Sequence, residues 1–181
     1  MVTSAGTTRP VKTGKVIAET TVFLFAKGGI FMYKRFTLNE QEKTNISDRI
    51  KRLLIERKEI SFAYLFGSFV TDPFFRDIDA GVYLQAENMS PKQTLDYELS
   101  LGAGLEGEIH YPLDIKVLNY APVPLCHSAS SGVLLFSRNE DMRFEWVERT
   151  WDMYLDMEYF LRSNLRDLLL PEEEGTHRDR F

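Results

Sequence analysis

The chain has 181 residues, of which 44% are apolar and 27% charged, with a formal net charge of −5. That length supports one domain with its own core, and the composition lies outside the range of disordered chains. No eighteen-residue apolar stretch occurs and the acidic balance disfavours a broad nucleic-acid surface, so a membrane span and direct nucleic-acid binding are not expected, whereas a single metal-neutralised nucleotide or a basic protein partner is compatible.

Residues 1–31 differ from the rest. Arg9, Lys12, Lys15 and Lys27 against Glu19 give them a charge of +3, which leaves −8 on residues 32–181. The stretch is rich in Thr, Ser and Gly and then apolar from Val22 to Ala26. An extra strand, a targeting peptide and sequence upstream of a start at Met32 all fit it. Glu19 inside the apolar region weakens a secretory signal, and an N-terminal extension over 1–31 is the expected reading.

Thr37 and Glu40 have capping-box spacing, and Ile46, Ile50, Leu53 and Leu54 recur at helical period, predicting an amphipathic helix to about Lys58. Phe62 to Phe66 is a short apolar run ended by Gly67-Ser68, as in a buried strand. Asp77 to Leu84 reads as a second strand with Ile78, Ala80, Val82 and Leu84 on one face. Ser90, Pro91 and Gln93 start a helix that carries Leu95 and Leu99 on one side and that Gly102 and Gly104 help to end. Tyr111 to Asn119 is a third strand, with Leu113, Ile115 and Val117 alternating with Asp114 and Lys116. After a proline-containing connector, Val133 to Phe136 reads as a fourth. Phe144, Val147, Trp151, Tyr154, Leu161, Leu165 and Leu168 mark a long C-terminal helix, followed by a charged tail over 171–181. The order predicts an α/β (α+β) domain over 32–170, with a small mixed sheet flanked by helices.

The chemistry concentrates between Gly67 and Asp79. Residues two apart on a strand share a face, so Asp77 and Asp79 repel one another unless cations intervene. Hard oxygen ligands suit Mg²⁺ or Mn²⁺, which also hold phosphate oxygens. Asp114 repeats the pattern on a later strand, and three carboxylates converge if the strands are neighbours. Gly67 lets a backbone approach phosphate, and Ser68 offers a hydroxyl. Each piece alone has a plainer reading: a solvated strand edge, a turn, a surface acid. Together they occur in the order that one active site needs. Arg76 fits either a phosphate contact or a solvated salt bridge, and Lys116 either a phosphate or a carboxylate partner. His110, His127 and His177 lack metal-ligand spacing. Trp146 and Trp151 suit packing or an interface, and Phe74 and Phe75 suit a pocket rim or the core. The lone Cys126 has no disulfide partner within the chain and fits a reducing cytoplasm and a buried small hydrophobe.

Leu65-Phe66-Gly67-Ser68, Asp77-Ile78-Asp79 and Leu113-Asp114-Ile115 resemble the signature of the DNA polymerase β-type nucleotidyltransferase superfamily, and within it the minimal nucleotidyltransferases (MNT). The likeness continues through Ala121 to Leu125, Gly132 to Phe136 and Tyr154-Leu155-Asp156, covering about residues 32 to 169. It implies that fold, Asp77 and Asp79 as metal ligands, Asp114 as the third carboxylate, and Gly67 and Ser68 as triphosphate contacts. Mg²⁺ (or Mn²⁺) and ATP are the cofactor and donor so implied, and the partner is a helical HEPN-type toxin on which AMP is placed at a tyrosine. Two other functions stay open: an antitoxin acting by contact alone, and transfer to a small molecule as in aminoglycoside-modifying relatives. Homo-oligomerisation is also open. One departure bears on the site. Only eight residues, Phe69 to Arg76, separate Gly-Ser from the first aspartate, fewer than is common in the family.

Overall fold

The computed structural model describes residues 18–26, 29–85 and 88–169. Strands β1 (Ala18–Ala26) and β2 (Gly29–Thr37) form an antiparallel hairpin, and β2 pairs in turn with a two-residue strand β4 (Phe74–Phe75). The segment expected as an extension thus contributes β1 and the start of β2, and β2 runs through residue 32. Residues 1–17 and the charged tail lie outside the described residues.

Helix α1 (Glu40–Ile55) is capped two residues later than the Thr37 cap expected from the sequence. Asn39 is the N-cap: its Oδ1 accepts from the Glu42 N–H at 2.8 Å, and Glu42 returns the bond to the Asn39 N–H at 3.0 Å. Thr37 is unavailable because it pairs with Phe74 in the ladder. The second sheet has the order β6-β5-β3-β7: β3 is Ile60–Phe66, β5 Ile78–Leu84, β6 Leu113–Val117 and β7 Val133–Ser137. The β5–β6 pair is parallel and the others antiparallel, so the sheet is mixed as expected.

One face of this sheet is aliphatic. Ala63, Leu65, Ile78, Ala80, Val82, Ile115 and Val117 lie buried against Ile46, Ile50 and Leu54 of α1 and Leu101, Leu105 and Ile109 of α3 (Pro91–Ile109). The Ser90 and Gln93 capping box forms as expected. The helix does not end at Gly102 and Gly104. A side chain at Gly102 would meet the Leu113 carbonyl at 3.2 Å, so this glycine lets α3 lie directly on β6. Nor do Leu95 and Leu99 face the core; they are 52% and 64% exposed. Glu98 and Glu106 of α3 accept from the Val117 and Leu113 N–H groups at 2.8 and 3.0 Å, which satisfies the outer edge of β6.

The opposite face is aromatic. Phe62, Tyr64 and Phe66 of β3, with Tyr83 of β5, pack under Trp146 of the long helix α5 (Glu140–Leu169) and under Cys126 and Ala129 of α4 (Val123–Ser130). Phe62 stacks on Tyr83 at 4.6 Å and contacts Trp146 at 5.2 Å. The core contact of α5 therefore runs through Trp146 and Thr150, whereas Phe144, Trp151, Leu161 and Leu165 are exposed. Among the described residues, no helix is long and apolar enough to cross a membrane.

Candidate active site

The parallel register of β5 and β6 pairs Asp79 with Asp114, and the antiparallel register of β3 and β5 pairs Phe66 with Asp79. Directly paired residues project to the same side of a sheet. Asp79, Asp114 and Lys116 therefore stand on the aromatic face, at the end of β5 and β6 where the strands begin. Asp77 lies one residue before β5. Gly67 follows Phe66 and adopts φ +71°, a left-handed conformation suited to glycine. A Cβ there would sit 2.2 Å from Asp79 Oδ2, so glycine is needed for the backbone to lie against that carboxylate.

Electrostatics tie the group together. Burial first, then the charges of Asp77 and Asp114, push the Asp79 carboxyl up to about 6, against relief from Lys116 and Arg76. Lys116 Nζ lies 3.0 Å from Asp114 Oδ1, and this contact holds the lysine above its ordinary range. Among the described residues, no three Asp, Glu, His or Cys side chains form a ready metal-ligand cluster, and Asp114 is engaged by Lys116. The donor chemistry nonetheless suits a hard divalent cation. The raised Asp79 value records burial first and then repulsion from Asp77 and Asp114, a repulsion that a cation held among these carboxylates would relieve.

Ser68 opens the short helix α2 (Ser68–Thr71), after which Asp72 and Pro73 lead into β4. Lys43 of α1 donates to the Asp72 carbonyl at 2.8 Å, and Phe75 packs on Phe36 and Phe69. The short connection is thus pinned on both sides. Phe75 closes the core, while Phe74 stays exposed at the rim. Arg76 is exposed beside Asp77.

Next to Gly67 and Ser68 a cavity of about 490 Å³ opens between the sheet, α4 and α5, bordered by Thr71, His127, Gly132 and Tyr154. The His127 and Tyr154 rings stack at 3.7 Å, nearly parallel with 6° between their planes. Sequence reasoning missed this pair as a site feature. The two residues lie far apart in the chain, and only the docking of α5 on α4 unites them. His110 is a helix C-cap in the left-handed region, and His177 lies outside the described residues. Cys126 is buried, its thiol pushed up by that burial and pointed at the Leu118 and Ala121 carbonyls, which does not favour a nucleophile. Trp151 donates to Ser130 Oγ at 3.0 Å.

Paired strand carboxylates beside a glycine-serine bend, on a mixed sheet backed by helices, define a nucleotidyltransferase domain. The chain belongs to the polymerase β nucleotidyltransferase family, whose model matches residues 48–141, just over half of the sequence. No curated protein sequence matches it significantly. Solved structures sharing the fold include the MntA–HepT toxin–antitoxin complex, at 19% identity over 70% of this chain and 99% of that one, TM-score 0.54. A tri-AMPylated Shewanella oneidensis HEPN toxin in complex with MNT antitoxin matches at 19% identity over 71% and 99%, TM-score 0.54. A toxin–antitoxin structure with AMP-PNP matches at 21% over 68% and 98%, TM-score 0.55.

Proposed function

We propose that this chain is an antitoxin that transfers AMP from ATP to a tyrosine hydroxyl of a HEPN-type toxin, with Mg²⁺ or Mn²⁺ held by Asp77, Asp79 and Asp114. The observation that carries the reading is the Asp79–Asp114 register beside Gly67. The shared fold with complexes of a HEPN toxin and an MNT antitoxin, one of them AMPylated and another containing AMP-PNP, supports partner and donor.

A divalent cation held by Asp77, Asp79 and Asp114 would supply positive charge against the phosphate oxygens. Gly67 lets the chain approach the phosphates, and Ser68 Oγ donates to them. Asp114 accepts the proton of the incoming tyrosine hydroxyl. The tyrosine oxygen forms a bond to the α-phosphorus as the bond to pyrophosphate breaks. Lys116, 3.0 Å from Asp114, orients that carboxylate. Incubation with ATP, Mg²⁺ and the purified toxin should add AMP-sized mass increments to the toxin, located at tyrosine by fragmentation. An unmodified toxin with every triphosphate tried refutes transfer.

A second reading, neutralisation by contact alone, draws on the far half of α5, where Leu155, Tyr159, Phe160 and Leu165 are all exposed. Asp77→Ala with Asp79→Ala separates the two. Full suppression of the toxin by that double variant assigns the function to binding, and loss of suppression assigns it to transfer.

A further inference from the structure

Gly67 and Ser68 form only one edge of the cavity of about 490 Å³ between the sheet, α4 and α5. That volume is typical of a site for a small organic molecule. Among the described residues, no Asp, Glu, Lys or Arg lines it. Its wall includes the stacked rings of His127 and Tyr154, and its other polar side chains are hydroxyls, Ser128 and Ser131 among them. A phosphate calls for cationic partners, which this lining lacks. A flat, uncharged ring with hydrogen-bonding edges suits it better. The rings are held by their neighbours before any ligand arrives. Trp151 lies 4.6 Å from His127 and donates to Ser130 Oγ at 3.0 Å, and the Ser130 and Ser131 hydroxyls each donate to the His127 carbonyl at 2.9 Å.

The cavity lies on a definite side of the carboxylates. Asp114 of β6 pairs with Asp79 of β5, and Asp79 pairs with Phe66 of β3, so the three form a row across strands about 4.8 Å apart. Phe66 borders the cavity, which therefore begins one strand beyond Asp79, away from Asp114. None of the three aspartates lines it. Gly67 touches both, since it borders the cavity and a Cβ on it would sit 2.2 Å from Asp79 Oδ2. In an in-line displacement the attacking and leaving oxygens lie on opposite sides of the phosphorus. With the acceptor hydroxyl at Asp114, the donor extends from Asp79 towards β3 and the cavity.

We infer that this cavity takes the nucleoside part of the donor nucleotide, with its base laid against the His127–Tyr154 stack. The assignment rests on the nucleotidyltransferase reading and deepens it. It gives α5 a residue in the donor site, and it divides recognition between a charged end at the aspartates and an uncharged aromatic end across Gly67.

The test is calorimetric titration of the full chain with Mg·ATP and with Mg·tripolyphosphate, which lacks the nucleoside. The proteins are wild type, Tyr154→Leu, Tyr154→Phe and a control, Arg52→Ala on the exposed side of α1. Tyr154→Leu should weaken ATP about tenfold, within the range that loss of a base–aromatic stack gives, and leave tripolyphosphate unchanged. Tyr154→Phe keeps the ring and should bind ATP as wild type does, as should Arg52→Ala. Equal ATP affinity in wild type and Tyr154→Leu overturns the inference. So does an equal loss of tripolyphosphate, or wild type binding tripolyphosphate as tightly as ATP. Should Tyr154→Leu fail to fold, Ser128→Trp, which fills the cavity from an exposed position on α4, carries the same comparison. AMP transfer to the toxin, measured alongside, keeps the two readings apart. Transfer with an unchanged ATP KM in Tyr154→Leu overturns this inference alone. ATP binding that depends on Tyr154, without transfer, overturns the acceptor reading alone.

Discussion

The two faces of the four-stranded sheet are built for different ends. The face under α1 and α3 is closed by Ile50, Leu54, Ile78, Ala80 and Val82, each essentially inaccessible to solvent. The other face is covered by aromatic rings at one end and left open at the other, where Asp79 and Asp114 pair beside Gly67. One set of strands thus supplies both. Residues Ile78, Ala80 and Val82 hold the sheet down, and the alternate residue Asp79 faces the open side. A charge cluster on the open side costs stability, and the closed side offsets it.

Substitutions on each face should therefore separate stability from activity. Leu54→Ala empties a fully buried position and should cost ~2–5 kcal/mol of unfolding free energy in a denaturant titration. The protein that remains folded should transfer AMP at the wild-type kcat. A matching fall in kcat would show that the faces are not independent. Gly67→Ala acts the other way. Its new methyl meets Asp79 Oδ2 at 2.2 Å and its backbone is held at φ +71°, so the carboxylate must move. Transfer should drop about 100-fold, as misplacement by an ångström does, for a stability loss of only about 1 kcal/mol. Transfer at the wild-type rate would remove Gly67 from the site.

Asp79→Asn gives the smaller, opposite sign. The folded carboxyl titrates near 6 and the unfolded one near 3.8, so the folded state binds this proton more tightly. The group's contribution to stability then declines as pH rises from about 4 to 6, and its cost is fully present above 6. Asp79→Asn should raise stability at pH 7.5 by on the order of 1 kcal/mol, a figure discounted because the side chain is only half-buried. The gain should shrink at pH 5. Thermal melts at the two pH values check it, and a gain independent of pH would point to packing instead of charge.

How much of this was legible in the sequence depends on the range over which each signal acts. The strands β5 and β6 declare themselves through alternation and β3 and β7 through short apolar runs, because a period of two, an apolar run and a D-x-D pair are local facts. Asp114 falls on the strand read for it, beside Asp79, because β6 alternates so plainly around it. The helix signals failed where tertiary contact decides. Gly102 looks like a helix end, yet it marks where α3 touches β6. Leu95 and Leu99 have helical spacing, but α3 buries Leu101, Leu105 and Ile109 instead. The strand β4 carried no signal at all, since no periodicity reveals two residues that pair with β2.

The smallest expected change in stability lies on α5, and it tests whether the open side extends past the site. Beyond Tyr154 no described side chain of this helix is buried. Tyr159 and Phe160 are 77% and 64% exposed, yet a helix serving only as a lid on Trp146 has no use for two large apolar residues in water. Contiguous exposed apolar surface marks an interaction site more often than isolated residues do. Tyr159→Ser with Phe160→Ser should shift unfolding by no more than ~0.5 kcal/mol, because nothing is packed there to lose. The same pair of changes should weaken capture of the toxin in a sedimentation or calorimetric assay and leave ATP binding untouched, since both residues lie outside the lining of the cavity beside Gly67 and Ser68. Toxin affinity equal to wild type would confine the working surface to the carboxylate end of the sheet. A loss of ATP binding would instead mean that α5 reaches the site through Tyr154, which stacks on His127 one turn before the exposed row.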